Sequence, residues 1–216
     1  FQDHLLGIIT VDDIMDVMDE EASDDYSKLA GISDVESSGD TAISSAKKRL
    51  PWLIALLFLG MLTASIITRF EAALEEVAIL AAFIPLIAGM AGNTGTQALA
   101  VAVRSISTGE LEKKGKIKVI WRETKTGLIT GFCCGIIIIM LISLVYNQFF
   151  LGIIVGISLM ATLLIATISG AFVPMMMDRF NIDPAVASGP FITTLNDLIS
   201  IFIYFGLATA FMSFLV

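Results

Sequence analysis

Histidine and cysteine are nearly missing from this chain. Its 216 residues include one histidine, His4, and two cysteines, Cys133 and Cys134, adjacent in an apolar run. With no Cys/His cluster, zinc, haem and iron–sulfur chemistry are excluded. The two thiols read as small core residues rather than a disulfide or metal site. Charge is sparse, at 16% of residues, and positive charge is sparsest at the front. Residues 1–46 hold twelve acids and a single base, Lys28, whereas residues 47–216 hold nine acids and twelve bases. The net charge of −8 is therefore wholly N-terminal. Such an acidic excess disfavours nucleic acid as a partner and favours metal cations. No signal peptide leads the chain, so the first apolar run is expected to be retained.

What the chain has in abundance is apolar surface. It is 56% hydrophobic with a mean hydropathy of +0.86, which places it among polytopic membrane proteins. Five apolar spans are expected: 51–68, 77–103, 127–146, 151–177 and 190–216. Each is long enough to cross ~30 Å of hydrocarbon, the longer ones with tilt. The second is interrupted by Pro85, Gly89, Gly92 and Gly95, and the fourth carries Gly152, Gly156 and Gly170 as close-packing positions. Basic residues precede span one (Lys47, Lys48, Arg49) and fill the connection from Arg104 to Lys125, whereas the loop after span three, at Asn147 and Gln148, has no charge. The positive-inside rule then puts the N-terminus in the cytoplasm and the C-terminus outside. No period of 20–50 residues repeats, and five spans do not divide into two equal inverted halves.

Ahead of the spans, Leu5–Thr10 reads as a short buried strand. Asp12 or Asp13 then caps a helix to about Met18, with Ile14, Val17 and Met18 as its apolar positions. One strand and one helix make no core, so this piece belongs to something larger. Asp19–Asp40 is acidic and closes on a Ser-Ser-Gly linker. From about Thr41 to Arg49 a helix runs toward the membrane. Divided by composition, the chain falls into residues 1–22, an acidic connector at 23–49 and a membrane part at 50–216.

The chemistry concentrates in two spans. Span five is apolar except for Asp197 and its oxygen-bearing neighbours Thr193, Thr194, Asn196 and Ser200. An ionisable group inside a span is costly, so it marks a functional site by default. Thr193, Asp197 and Ser200 lie four and three residues apart, hence on one helical face, which reads as the wall of a polar path. Leu195, Ile199 and Phe202 form the opposite side. The competing reading makes Asp197 a neutral or capped group joining helices. Span two carries Gly92-Asn-Thr-Gly-Thr-Gln97. It lacks the lysine of a phosphate loop and sits in an apolar run. Its glycines let backbones meet closely, and Asn93, Thr94, Thr96 and Gln97 offer oxygens to a path or to neighbouring helices.

Ala91-Gly-Asn-Thr-Gly-Thr-Gln97 followed by Arg104, then Asp183-Pro-Ala-Val-Ala-Ser-Gly-Pro190 and Thr193-Thr-Leu-Asn-Asp197, resembles the MgtE family of magnesium channels. The likeness covers essentially the whole chain. Thr10-Val-Asp-Asp13 also resembles the end of a CBS domain, whose Thr and Asp contact a nucleotide ribose; this implies ATP as a ligand of the part of that domain the chain lacks. The resemblance implies an all-α membrane protein of the inner (plasma) membrane. It implies that residues 1–22 are the C-terminal remnant of the CBS-like cytoplasmic domain, that 23–49 form the acidic connector or cytoplasmic "plug" helix, and that 50–216 form the pore domain, with five transmembrane helices in each subunit. It implies a homodimeric pore lined by spans two and five, with Asp197 holding hydrated Mg²⁺ amid Gly92, Asn93, Thr94, Gly95, Thr96, Gln97, Thr193, Thr194, Asn196 and Ser200. It implies that Mg²⁺ also closes the pore by binding the cytoplasmic acids, for which Asp13, Asp24, Asp25 and Asp183 are the candidates. Some family members have Asn where this chain has Thr96 and Gly189, which leaves those two positions without an assigned role.

The residues agree with a Mg²⁺ reading. This ion sheds water reluctantly and meets one or two carboxylates, whereas Ca²⁺ wants more direct ligands than this chain offers. The expected function is Mg²⁺ uptake through a channel gated by internal Mg²⁺. A proton- or Na⁺-coupled divalent-cation transporter is the alternative, and a non-transporting sensor a further one. An intramembrane aspartyl protease needs two carboxylates sharing a proton, and one chain supplies Asp197 alone.

Overall fold

The computed structural model describes residues 7–35, 39–70, 75, 77–111 and 115–211. Among these there are no strands, and six long helices account for most of the chain. They are α1 (Val11–Leu29), α2 (Ala42–Arg69), α3 (Ile84–Ser107), α4 (Lys116–Val145), α5 (Phe149–Arg179) and α6 (Gly189–Ala210). Short 3-10 turns at Ala78–Phe83 and Pro184–Val186 lead into α3 and α6. The helices α2 to α6 are long and apolar enough to cross a membrane, α3 together with the turn before it.

The N-terminal region departs from the sequence expectation. Residues Gly7–Thr10 are exposed and form no strand, while Leu5, Leu6 and His4 lie outside the described residues. Thr10 caps α1 through a reciprocal box: its hydroxyl accepts from the Asp13 N–H, and Asp13 Oδ2 accepts from the Thr10 N–H at 2.7 Å. The helix then runs past Met18 to Leu29, because no glycine or proline interrupts it before Gly31. There the chain turns with φ +75° and Ile32 N–H reaches back to the Ser27 carbonyl, closing the helix end. Ile14, Val17 and Met18 are exposed rather than packed. Both α1 and α2 pass without a break through the boundaries drawn on composition, 22/23 and 49/50.

The helices α2 to α6 alternate in direction, so the end of α3, the start of α4, the 180–188 loop and α1 all lie at one end of the bundle. We call it the basic end. Central α5 packs on α3, α4 and α6; α2 lies outside, mainly against α6, and buries no residue. The α4–α5 seam is glycine-lined: a Cβ on Gly135 would meet the Gly156 carbonyl at 3.0 Å, and one on Gly156 the Gly135 carbonyl at 2.9 Å. Cys133 lies away from this seam, since two residues turn a helix by about half a circle. It is exposed and Cys134 partly buried, both free, so the expectation of core thiols fails for Cys133. At the end opposite the basic one, Leu80, Phe83, Ile87, Leu151, Tyr204 and Phe205 form a core. Tyr204 donates its hydroxyl at 3.0 Å to the Leu80 carbonyl, which the 3-10 turn leaves available.

Candidate functional site

The polar residues of α6 are divided among neighbours by the way α3 and α5 approach it. Gly92 of α3 faces Thr193: a Cβ there would stand 2.7 Å from the threonine methyl. One turn on, Gly95 faces Asn196, whose amide nitrogen would lie 1.9 Å from such a Cβ. The Gly95 backbone also touches α5, where a Cβ on Gly170 would come within 2.2 Å of the Gly95 carbonyl. Three helices thus cross at contact distance, and glycine is what permits it.

Asn196 is 1% exposed and Ser200 is fully buried, both inside the subunit. Asn196 Oδ1 accepts from Ser169 Oγ at 2.6 Å, tying α6 to α5. Ser200 Oγ donates to the Asp197 carbonyl at 2.9 Å, and Thr194 Oγ1 to the Pro190 carbonyl at 2.9 Å. Asp197 is half-buried, and among the described residues its carboxylate has no hydrogen-bond or ion-pair partner. Thr96 donates to the Asn93 carbonyl at 2.9 Å, and its methyl faces Gly189 at the start of α6. Asn93, Thr94 and Gln97 turn the other way. With Glu123, Thr126 and Thr130 they line a cavity of about 430 Å³ between α3, α4 and α5.

At the basic end the last turn of α1 seats on the entry to α6. Leu29 packs with Leu99, Val103, Ala187 and Ile192, so α1 reaches α3 and α6 together. Lys28 Nζ lies 2.5 Å from Asp183 Oδ2 and 2.6 Å from Asp24 Oδ2. Asp183 Oδ1 accepts from the Ala185 N–H at 2.9 Å, capping the 3-10 turn. Partial burial pushes Asp183 up, but the Lys28 bond, the Ala185 N–H and the Lys28 charge bring it below the ordinary carboxylate range. The hydrogen bonds to Asp183 and Asp24 in turn raise the Lys28 ammonium. Asp25 is raised, first by burial and then by the negative charge of Asp183. Asp13 sits about 16 Å down α1 from Asp24, and its bonds to Thr10 lower it. Beside the ion pairs, Trp52 of α2 donates Nε1–H to Ser188 Oγ at 2.6 Å while Ser188 caps α6. Gly31 admits the indole, which a Cβ would strike at 2.3 Å.

Of the sequence candidates, Asp24, Asp25 and Asp183 are brought together, and so are Thr193 with Gly92 and Asn196 with Gly95; Asp13 is not. Among the described residues no three acids, histidines or cysteines stand close enough to hold a metal ion. A single subunit therefore offers carboxylates singly or in pairs. Sequence reasoning passed over Lys28, Trp52, Ser188 and Glu123. Lys28 carried a signal, being the lone base among twelve acids. Glu123, 6% exposed, carried none, since it stands in a run of charges that reads as solvated.

These features define a multi-pass membrane protein with polar side chains gathered where its helices cross. The family model of MgtE, described as a divalent cation transporter, matches residues 84–207, and the chain belongs to that family. It is similar to three proteins named magnesium transporter MgtE. It is 49% identical over 216 residues to that of Enterococcus faecalis, covering all of this chain and 48% of the relative. For Bacillus subtilis the identity is 47% over 208 residues, covering 96% and 46%. For Thermus thermophilus it is 33% over 206 residues, covering 94% and 46%. The chain spans about half the length of these relatives, which are named as transporters.

Proposed function

We propose that the chain is the membrane part of a homodimeric Mg²⁺ channel whose path is lined by α3 and α6 of both subunits. The observation that carries this reading is Asp197: a half-buried carboxylate in a membrane helix, without a partner among the described residues. Such a group is tolerated where it meets a cation or a water-filled path. Two copies across a two-fold axis would present two carboxylates to one hydrated ion, which suits Mg²⁺ because it need not shed its waters. The names of the relatives favour the same ion. Mg²⁺ flux into liposomes carrying the reconstituted protein, with no pH or Na⁺ gradient imposed, is the expected result. A strict requirement for either gradient would make the protein a coupled transporter, and no flux at all would leave it a sensor.

The basic end is assigned to the cytoplasm by its lysines and arginines. A cysteine placed at Lys118 should then resist an impermeant thiol reagent in intact cells, and rapid labelling there would reverse the orientation.

The docked α1 is read as the plug of this channel. Lys28 fills the space between Asp24 and Asp183 that a divalent cation would otherwise take. A ligand shifts a conformational equilibrium only through its preference for one state, and here the docked state gathers the carboxylates. Lys28→Met removes the built-in cation and leaves Asp24, Asp25 and Asp183 to repel. Its channels should open more at low internal Mg²⁺ and close along a steeper Mg²⁺ dependence. Closure curves identical to wild type would exclude Lys28 from the gate.

A further inference from the structure

The first turns of α4 carry Lys118, Trp121, Arg122 and Lys125, spaced three, four and seven residues apart and therefore on one face. These four line a shallow cavity of about 400 Å³ with Val119, which is buried against the bundle as its floor. Trp121 is 60% exposed. Lys116, just before them, is held by Asp178 at 2.6 Å. By contrast, neither Lys118 nor Lys125 has a hydrogen-bond or ion-pair partner among the described residues. Arg122 pairs through Nη2 with Glu123 Oε1 at 3.1 Å; the glutamate is buried while the guanidinium stays half-exposed. Three cations against one buried carboxylate leave the face strongly positive.

The same face continues toward the membrane interior as exposed Leu128, Phe132 and Ile136, three to four residues apart beyond Lys125. A stripe that changes from cationic to apolar within one turn, with an indole set among the cations just before the change, matches the headgroup boundary of a bilayer. We propose that this face is a binding site for an anionic phospholipid. Its phosphate would sit among Lys118, Trp121, Arg122 and Lys125, its glycerol between Lys125 and Leu128, and one acyl chain along Leu128, Phe132 and Ile136. A soluble phosphate compound could use the cations but not the apolar stripe, which is why the lipid is chosen. Loop lysines that only orient a protein need neither a shared face nor this continuity.

The test uses Trp121 as its own reporter. The full chain carrying Trp52→Phe, which keeps a ring against Phe191, is reconstituted into phosphatidylcholine vesicles. These contain an equal minor fraction of either brominated phosphatidylglycerol or brominated phosphatidylcholine. Brominated phosphatidylglycerol should quench the indole about threefold or more over the brominated phosphatidylcholine, given what a basic cluster contributes at a charged surface. The double variant Lys118→Gln/Lys125→Gln, which spares the Arg122–Glu123 pair, should bring that ratio to about one. Inorganic phosphate in the buffer should leave it unchanged. Equal quenching by the two lipids, an unaltered ratio in the double variant, or displacement by phosphate would each overturn the proposal. If Trp52→Phe does not insert, the difference between the unmodified chain and Trp121→Phe gives the same reading.

Discussion

Asp197→Asn is expected to abolish the preference for Mg²⁺ over Na⁺ and K⁺ while leaving the subunit folded. Asparagine keeps the size of the side chain and removes its charge. Among the described residues nothing bonds to that charge, and Ser200 uses the backbone carbonyl instead. The loss therefore falls on whatever occupies the path. A divalent ion gains about twice the attraction of a monovalent one from a fixed carboxylate, so neutralisation removes the divalent advantage first. In the proposed dimer, where a second copy faces the first, the advantage is lost twice over. Reversal potentials in mixed Mg²⁺/K⁺ solutions should show at least roughly a tenfold drop in relative Mg²⁺ permeability, or about 1.4 kcal/mol of discrimination. Asp197→Glu, which retains charge on a longer arm, should keep partial preference. Undiminished Mg²⁺ selectivity in a correctly inserted Asp197→Asn protein would return Asp197 to the role of a group joining helices.

Gly170→Ala is expected to unseat α5 from α3. The added methyl would lie 2.2 Å from the Gly95 carbonyl, a backbone atom with no rotamer to give way. Overpacking a tight interior typically costs about 1–3 kcal/mol, and a rigid backbone contact belongs at the upper end. The cost spreads, because Gly95 also seats Asn196 and α6 carries Asp197. Gly60→Ala serves as the control: that helical glycine has open space where its Cβ would go, so alanine there should be neutral or stabilising by about 0.5–1 kcal/mol. In detergent, the melting temperature of Gly170→Ala should fall by several degrees or the protein should fail to accumulate. Equal behaviour of the two variants would mean that α3 and α5 do not meet as closely as described.

Much of this architecture was legible beforehand because a bilayer imposes few solutions. An apolar run of about twenty residues must form a helix to satisfy its own backbone, so the five spans follow from hydropathy. Their ends were unevenly legible: the helix expected from about Thr41 does run on into α2, whereas α4 begins eleven residues ahead of its apolar run, among charged residues. The apolar core of a span says nothing about how far its helix extends into water. The length of α1 was missed for a related reason, since a charged helix in solvent shows no apolar period to follow.

What the sequence determined by itself was the inventory: five spans, an acid in the last of them, a glycine-rich polar motif in the second, and an acidic N-terminal part with one lysine. What only the tertiary structure decided was which neighbour each polar group meets. Helical spacing puts Thr193, Asn196, Asp197 and Ser200 within one broad half of α6, and no periodicity says which of them a second helix will cover. The Gly95–Gly170 crossing does so for Asn196; Ser200 is buried within the subunit as well, while Asp197 stays partly open. Lys28 and Asp183 stand 155 residues apart in the chain, and only the fold brings them to one ion pair. Local patterns record what a residue can do, whereas contact between distant helices depends on how closely their backbones can approach.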